Sequence, residues 1–531
     1  MNTELTRLRA PLGEILERRA VEFADSLLLR TIDLDGQVIA SYTYDEFNRY
    51  VNRLAHGFSA LGLVAGDHAV IMLANSAEHL AVQYALVKLG VIKVEINVDF
   101  RGIPLEHTIK LTGSAVLITE NQYLEPIAES LNGLGQLKNC VLTDRAASIP
   151  TSLQGLDFRV LNEVASSREE NPDQVVTDDL MPEVIVFTSG STGLSKGCIL
   201  SHRRNVCSAL AAIECLGLNA SDRLFTPYPV YHVGFQASEF LPMLLVGGSA
   251  VIAPRFSASR FWQQVSDNGI TWLTLQGSVS RILWDRESEA IEREHKLRIT
   301  WGTPLLVDAE EWKARFGHPV LTEGLWGMSE TGIALTSAPL GSKLRGGAVR
   351  STHEIKVVND ADESMPNGES GEIVVRPREP GVIFDGYFGN DEATVKAWRH
   401  LWFHTGDLGR FNSDGRLEYL GRSSGRVRVR GHQVSTTEVE QAIIAHEGVA
   451  HCVVLGSPSA MGDEDLHAFI ELHSEMAVTE IEVRAHLQGK LARYMMPTSI
   501  TFLSALPKTG TGKYAIGELR ALVPSTVNVE K

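Results

Sequence analysis

The 531-residue sequence contains few cysteines, a deficit of basic charge and no long apolar run, and each absence excludes a class of protein. Lys and Arg number 49 against 65 Asp and Glu, a net charge of −16 that argues against a nucleic-acid or anionic-membrane partner. No stretch approaches the roughly 18–20 apolar residues of a membrane span. A disulfide framework and a zinc site are unexpected, because there is no CxxC pair or metal spacing among the five cysteines, Cys140, Cys198, Cys207, Cys215 and Cys452.

The amino terminus and the length predict a multidomain cytoplasmic protein. Residues 1–19, MNTELTRLRAPLGEILERR, carry charges throughout and have no apolar core, so no secretory signal peptide is expected. A chain of 531 residues exceeds the usual size of one domain, and its 44% hydrophobic content suffices for a sizeable core. Both a monomer and a homodimer are compatible with the sequence.

Apolar strands and helical patterns alternate through residues 67–276. The runs AVIMLA and VIKVEINV flank the helical pattern AEHLAVQYALVKLG, and this βαβ order is typical of a parallel sheet. Further strand patterns are AVLIT, NCVLTD and VIVFTSG, and then SAVIAP and ITWLTLQ around the helical SRFWQQVSDNG. The fold class predicted is α/β, with a large body of parallel-type sheets and helices on both sheet faces.

The pattern changes after residue 340. EIKVVND, GEIVVRP and GRLEYLG are short strands between turn residues, as in an antiparallel subdomain. Beyond them, the helical TEVEQAIIAHE and EIEVRAHLQGKLA alternate with the strands HCVVLGSP, LHAFIELH and SITFLSALP, which predicts a small α+β domain. We therefore predict a large domain over residues 1–421, a hinge over 422–425 and a small mobile domain over 426–531.

The segment TSGSTGLSKG at 188–197 follows the apolar strand VIVF and precedes the helical pattern LSHRRNVCSALAAIE. Glycines and small hydroxyl residues let backbone N–H groups surround an anion, and Lys196 adds a positive charge. The pattern differs from the P-loop, because Gly197 follows the lysine where a P-loop has Ser or Thr. The segment predicts a phosphate-binding loop.

Four further motifs follow in chain order: YPVYHVGF at 228–235, WGMSET at 326–331, LWFHTGDLGRFNSDGRLEYLGR at 401–422 and LPKTGTGK at 506–513. With the phosphate loop, they identify the chain as similar to the adenylate-forming superfamily of acyl- and aryl-CoA synthetases, amino-acid adenylation domains and luciferases. The sequence most resembles a stand-alone acyl-CoA ligase of the carnitine/crotonobetaine-CoA ligase-like branch. The resemblance implies that ATP activates a small-molecule carboxylic acid as an acyl-adenylate, and that the acyl group then passes to a thiol, that of coenzyme A.

The resemblance also implies a nucleotide site. Asp407 would accept hydrogen bonds from the ribose hydroxyls, and Arg422 would contact ribose or phosphate at the domain junction. The implied phosphate-binding residues are Thr188, Ser189, Gly190, Ser191, Thr192, Gly193 and Lys196. The residues implied around the adenine and the α-phosphate are Gly302, Thr303 and Pro304, from WGTPL at 301–305, and Trp326, Gly327, Met328 and Ser329.

Three implied roles concern the reaction itself. Glu330 would bind the Mg²⁺ that accompanies ATP, since a hard cation shared with phosphates prefers carboxylate oxygen. Lys513 would offset the negative charge that develops when a carboxylate attacks the α-phosphate. His232 would lie near the acyl pocket, and Gly431 in RVRVRGHQVS would line the passage for the pantetheine arm of coenzyme A.

Two features bear on the rotation of the small domain and on the class of substrate. Gly425 replaces an aspartate that many relatives carry at the hinge, which permits backbone rotation but removes a polar contact. YHVGF contains no acid to pair with an α-ammonium group, which disfavours a free amino acid as substrate. The acceptor alternatives left open are an amine, a carrier-protein thiol and diazo-forming nitrogen chemistry. Glu330, Asp407 and Lys513 disfavour a binding protein that has lost catalysis.

Overall fold

The structure is a computed structural model. It describes residues 9–146, 148–188, 195–303, 309–321, 325–337, 346–359, 361–422, 426–430, 432–459, 463–473, 476–507, 514 and 516–523. None of the five cysteines forms a disulfide. Within the described ranges, no helix is long and apolar enough to cross a membrane.

Two large sheets form the body of the molecule. Neighbouring strands of the seven-stranded sheet pair in the order Val320–Leu321, Ile299–Thr303, Trp272–Gln276, Arg223–Thr226, Ser249–Ile252, Leu27–Ile32 and Val38–Thr43. All of these pairs are parallel except the last. The eight-stranded sheet follows the order Gly386–Tyr387, Lys196–Ser201, Pro182–Thr188, Ile92–Glu95, His68–Met72, Val116–Thr119, Asn139–Leu142 and Asp157–Val160.

Helices cover both faces of both sheets, as the alternating sequence predicts. One apolar core contains residues of both sheets and of the helices Tyr44–Ala60, Ala77–Lys88 and His202–Leu216, so these helices lie between the sheets. Separate cores bury the outer faces, against Phe261–Asp267 on the seven-stranded sheet and Gly102–Thr112 on the eight-stranded sheet. The other helices of the body are Leu12–Glu22, Leu124–Ser130, Leu161–Val164, Val233–Phe235, Leu241–Val246, Gly277–Trp284, Ala309–Phe316 and Asp391–Ala397, with short turns at Asn121–Tyr123, Thr151–Leu153, Gln236–Phe240 and Ala290–Arg293.

Local sequence explains where the central helices begin and end. The Thr43 hydroxyl accepts a hydrogen bond from the backbone of Glu46, and the Glu46 carboxylate accepts one from Thr43, a reciprocal capping box. Ser201 caps the helix His202–Leu216, and Gly217 ends it in the left-handed conformation with φ 58°. The helix Ala77–Lys88 is buried on nearly every side, which explains why its sequence has no polar face.

The phosphate-loop segment differs from the expectation of a strand followed by a helix. A second strand, Lys196–Ser201, intervenes and pairs antiparallel with Pro182–Thr188 before the helix begins at His202. The physical reason is tertiary, because this strand also pairs with Gly386–Tyr387, almost 190 residues later in the chain. The loop therefore connects two antiparallel strands.

The C-terminal third has the predicted antiparallel and α+β character. A five-stranded sheet contains His353–Val358, Gly371–Pro377, Trp398–Arg399, Trp402–Phe411 and Leu417–Arg422. Gly327–Met328 pairs with Gly332–Ile333, Leu335–Thr336 with Ala348–Val349, and Arg426–Val429 with His432–Ser435. The three-stranded sheet Val449–Pro458, Glu464–Leu472 and Ser499–Leu503 packs with Thr436–Ile444, Glu480–Leu487, Arg493–Met495 and Ile516–Ala521.

Candidate active site

The proposed site residues follow the carboxyl ends of parallel strands in both large sheets. Pro182–Thr188 leads into the phosphate loop, Arg223–Thr226 leads into YPVYHVGF, and Ile299–Thr303 ends within WGTPL. Ligands of open α/β sheets bind at this edge, because the loops that follow the strands converge there. The two sheets thus bring together segments that are far apart in sequence.

The phosphate loop is described at its two ends. Thr188 and Lys196 are direct partners in the antiparallel ladder that closes the loop. Gly302 and the backbone of Thr303 lie in the strand Ile299–Thr303, paired with Leu275 and Gln276. Eleven predicted residues lie outside the described residues or have no described side chain: Ser189, Gly190, Ser191, Thr192, Gly193, Pro304, Gly431 and Lys513 belong to the first group, and Thr188, Thr303 and Arg422 to the second.

Lys196 and Glu330 both contact Tyr387, a residue that the motifs do not predict as part of the site. The Lys196 ammonium lies 4.8 Å from the centre of the Tyr387 ring. The Tyr387 hydroxyl donates a 2.9 Å hydrogen bond to Oε1 of Glu330, whose side chain is 1% exposed. Tyr387 therefore connects the end of the phosphate loop with the predicted metal-binding carboxylate.

The backbone of WGMSET is held by Arg204, which sequence reasoning missed. Its guanidinium donates hydrogen bonds to the carbonyl oxygens of Met328 at 2.9 Å and Ser329 at 2.7 Å. Burial lowers the pKa of Arg204 to about 10, so the group stays charged at neutral pH. Gly327 completes the turn, since a Cβ there would lie 2.0 Å from the carbonyl oxygen of Gly332.

Trp326, which precedes the strand Gly327–Met328, meets Asp407 of the strand Trp402–Phe411. The indole N–H of Trp326 donates a 3.0 Å hydrogen bond to Oδ2 of Asp407, which is 3% exposed. The backbone N–H of Asp407 donates to the hydroxyl of Thr405, which itself donates to the Ile373 carbonyl at 2.6 Å. Asp407 and Arg422 are direct partners in an antiparallel ladder. The predicted ribose and adenine residues are therefore adjacent.

A cavity of about 820 Å³ lies beside the loop YPVYHVGF. Asn75 positions the loop, because it donates to the carbonyl of Tyr228 at 2.8 Å and accepts from the N–H of Val230 at 3.0 Å. On the body side, the cavity is lined by aromatic residues (Tyr228, Tyr231, Phe235, Phe256 and Trp301) and by polar residues (His232, Ser238, Glu239, Thr274 and Gln276).

His232 presents one ring nitrogen to this cavity. Its Nδ1 accepts a 3.0 Å hydrogen bond from the backbone of Gly234, so the neutral ring carries its proton on Nε2. Burial and, to a smaller extent, the nearby His432 and Arg428 together lower the pKa of His232 to about 4. The ring is open to the cavity and neutral at pH 7, and it can donate a hydrogen bond there.

The C-terminal segment around Gly431 forms the other wall of the same cavity. The lining residues on this side are Arg428 and Val429 of the strand Arg426–Val429, His432 of the strand His432–Ser435, and Arg430 between the two strands. His432 stacks on Tyr494 with ring centres 4.0 Å apart. The Tyr494 hydroxyl accepts a 2.9 Å hydrogen bond from Asn97, which follows a strand of the eight-stranded sheet. The segment predicted to serve the thiol thus faces the predicted acyl pocket.

Comparison with known proteins identifies two family domains in the chain. Residues 16–388 match the AMP-binding enzyme family, and residues 438–513 match the AMP-binding enzyme C-terminal domain. The chain is similar to crotonobetaine/carnitine-CoA ligases of Salmonella heidelberg (strain SL476), with 28% identity covering 90% of this chain and 92% of the relative. The corresponding ligase of Shigella dysenteriae serotype 1 is also 28% identical, over 90% of this chain and 93% of the relative.

Solved structures share the fold. A double mutant of o-succinylbenzoate CoA synthetase from Bacillus subtilis superposes with a TM-score of 0.78 at 23% identity, covering 95% of this chain and 97% of that chain. An amide bond synthetase from Marinactinospora thermotolerans has the same TM-score at 20% identity, covering 96% and 99%. The family match spans most of the sequence and includes the phosphate loop, WGMSET and the Tyr387 segment. The chain belongs to the AMP-binding enzyme family, as its ordered motifs predict.

Proposed function

We propose that the protein is an ATP-dependent, AMP-forming ligase that activates a small-molecule carboxylic acid and transfers the acyl group to coenzyme A, releasing pyrophosphate and AMP. The observation that carries the proposal is the shared cavity: His232 of the body and the Arg428–His432 segment line one space of about 820 Å³. An acyl group held beside His232 is there accessible to a thiol guided by the C-terminal segment. The similarity to CoA ligases supports the same acceptor.

In the first half-reaction, the loop at 188–193 and Lys196 bind the phosphates of ATP. Trp326 and the turn at 302–304 cover the adenine, Asp407 and Arg422 hold the ribose, and the 327–329 backbone contacts the α-phosphate. Two observations support this assignment: Asp407 bonds to Trp326 at 3.0 Å, and Arg204 fixes the carbonyl groups of Met328 and Ser329. A fixed array of donors favours the charge that develops on phosphate, because it needs no reorganisation during the reaction.

Glu330 is the residue that would hold Mg²⁺. The described residues contain no group of three or more His, Cys, Asp or Glu that could bind a metal alone. A single carboxylate fits a magnesium ion that takes its other ligands from ATP phosphates and water. Tyr387 donates to Oε1 of Glu330 and so orients the carboxylate. The metal, when bound, neutralises phosphate charge.

The change between half-reactions depends on Lys513 and on the predicted division into a large domain, a hinge and a small domain. These cover residues 1–421, 422–425 and 426–531. We propose that the small domain first brings Lys513 to the α-phosphate and then rotates about the hinge, which contains Gly425. The rotation replaces Lys513 with the segment around Gly431, which lines the passage for the pantetheine arm. Closure in both orientations excludes water that would hydrolyse the acyl-adenylate.

A cytoplasmic location stays a prediction.

The test measures AMP release from ATP over a panel of carboxylic acids, with and without coenzyme A, and traps the adenylate with hydroxylamine. The proposal expects hydroxamate without coenzyme A, and continuous AMP release with an acyl-CoA product when coenzyme A is present. Multiple turnover with an amine in place of coenzyme A would identify an amide ligase. Turnover only with an added carrier protein would identify a carrier-protein thiol as the acceptor.

A further inference from the structure

A buried carboxylic acid, Glu239, lines the body side of the cavity. It lies in the π-helical turn Gln236–Phe240, which follows the short helix Val233–Phe235 after His232. Its side chain is 7% exposed and borders the cavity. Turns of this kind are rare and often occur at functional sites, because the extra residue redirects side chains.

The carboxyl group has fewer hydrogen bonds than its burial demands. Oε1 accepts a 2.7 Å hydrogen bond from the Thr274 hydroxyl, and Thr226 offers the carboxyl group a second hydroxyl, whereas Oε2 has no well-formed hydrogen bond to any residue that the structure describes. Buried polar atoms are normally paired, and an unpaired one costs free energy. The last torsion of a glutamate is broad and twofold, so this carboxyl group can turn either oxygen toward a ligand in the cavity.

No cationic side chain of the described residues compensates Glu239. Burial raises its pKa to about 7, and only hydroxyl groups, those of Thr274 and Thr226, oppose this. Two other buried carboxylates of the same body have cations. Asp222 accepts a 2.7 Å hydrogen bond from the guanidinium of Arg298, and Glu183 lies 3.3 Å from the ammonium of Lys93. Glu239 can therefore pair with a cationic group of a ligand that enters the cavity.

The surroundings of Glu239 suit a positively charged group. The rings of Tyr228, Phe235, Phe256 and Trp301 line the same cavity, and aromatic faces attract cations. Seven residues of helical chain separate His232 from Glu239, which at the usual rise is on the order of 10 Å. A carboxylic acid of about that length, with its carboxylate near His232, would therefore place its far end near Glu239.

We propose that Glu239 is the specificity-determining residue of the acyl pocket and accepts a hydrogen bond from a protonated amine at the far end of the carboxylic acid substrate. The inference rests on the proposed function, because it assumes that this cavity holds the acyl group. It agrees with the lack of an acid beside His232, since the amine would be distal and not on the α-carbon. A fixed methylated ammonium could not donate the missing hydrogen bond.

The experiment compares ω-amino acids of four to eight carbons with their neutral isosteres, in which a methyl group replaces the ammonium group. kcat/KM is measured from AMP formation with coenzyme A, using the full chain. 6-Aminohexanoate and heptanoate form the central pair, and 6-(trimethylammonio)hexanoate tests whether an N–H donor is required. We expect the best amino acid to exceed its isostere by about 10-fold or more.

Glu239→Gln keeps the shape and removes the negative charge. We expect it to lower kcat/KM for the favoured amino acid by about 10-fold or more and to leave the neutral isostere within about 3-fold. Glu239→Asp keeps the charge and should retain part of the preference. Glu129→Gln removes an exposed carboxylate from the helix Leu124–Ser130 and should not alter the preference.

Several results would overturn the inference. If the acids are activated but no amino acid exceeds its isostere in the unaltered protein, Glu239 does not select an amine. Preference for the trimethylated acid over the amine would exclude hydrogen-bond donation to Glu239. A preference that survives Glu239→Gln would place the selection elsewhere. Absence of CoA-dependent AMP formation with every acid would instead contradict the proposed function.

Discussion

At the scale of single residues, removal of the Tyr387 hydroxyl group tests whether this residue orients Glu330 in the nucleotide site. Tyr387→Phe removes its 2.9 Å hydrogen bond to Glu330 but keeps the ring beside Lys196. We expect the adenylation rate to fall about 10-fold, because hydrogen bonds to charged groups contribute more than neutral ones. The Mg²⁺ concentration for half-maximal ATP–pyrophosphate exchange should rise. An unchanged magnesium dependence would show that Tyr387 does not orient a metal ligand. Tyr50→Phe, in a ring stacked on Tyr42, serves as the control.

Lys513 is predicted to act in only one half-reaction. Lys513→Ala should lower acyl-adenylate formation about 100-fold or more, since it removes the charge that stabilises the developing phosphate anion. Thioester formation from a supplied acyl-adenylate should remain near the original rate. Single-turnover assays of the two steps measure this division. Equal losses in both steps would contradict it.

The lowered pKa of His232 makes the free energy of unfolding depend on pH. Its pKa is about 4 in the folded protein and 6.5 ordinarily, so between these values the unfolded state binds more protons than the folded state. The free energy of unfolding therefore falls as the pH falls through this window. His232→Asn should show a smaller drop in melting temperature between pH 7 and pH 5 than the unaltered protein. Parallel melting curves for both proteins over this range would contradict the lowered pKa.

At the scale of elements, the N-terminal end of the helix His202–Leu216 supports the nucleotide site. Arg204→Lys keeps a cation but loses the rigid, planar guanidinium whose Nη2 donates to the carbonyl groups of Met328 and Ser329. We expect adenylation to slow about 10-fold as the WGMSET turn loses its fixed position. Arg203→Lys is a matched control, since the neighbouring Arg203 pairs with Asp179 instead. ATP–pyrophosphate exchange measures both variants, and equal rates would contradict the role of Arg204.

The sequence predicts most elements of the fold because their signals are local. The βαβ order, the antiparallel strands after residue 340 and the elements of the small domain are confirmed. The strand Lys196–Ser201 escapes prediction, because it forms through pairing with Gly386–Tyr387. KGCILS has no alternating pattern that would indicate a strand.

The site shows the same division between local and distant causes. The motifs predict Glu330, Asp407 and Trp326, and the structure brings Trp326 and Asp407 into contact. Arg204 appears in HRRN as one of two adjacent arginines, and only a contact 124 residues away distinguishes it from Arg203. Tyr387 and Glu239 escape prediction for the same reason, since their partners Glu330 and Thr274 are 57 and 35 residues distant.

At the scale of the whole molecule, removal of one hydrogen bond tests the proposed rotation of the small domain between two orientations. The Tyr494 hydroxyl accepts a bond from Asn97 at 2.9 Å, while its ring stacks on His432. This contact joins the body to the C-terminal segment that lines the cavity, so it belongs to the orientation we assign to thiol transfer. Tyr494→Phe removes the hydroxyl group and keeps the stack.

We expect Tyr494→Phe to slow thioester formation from a supplied acyl-adenylate by about 2- to 10-fold, the population shift that one lost hydrogen bond produces. Adenylation should be unchanged or slightly faster, because the opposite orientation becomes more populated. Single-turnover measurement of both steps separates this result from a general loss of stability, which would slow both. A variant that slows adenylation alone would mean that the Asn97–Tyr494 contact belongs to the orientation in which Lys513 acts.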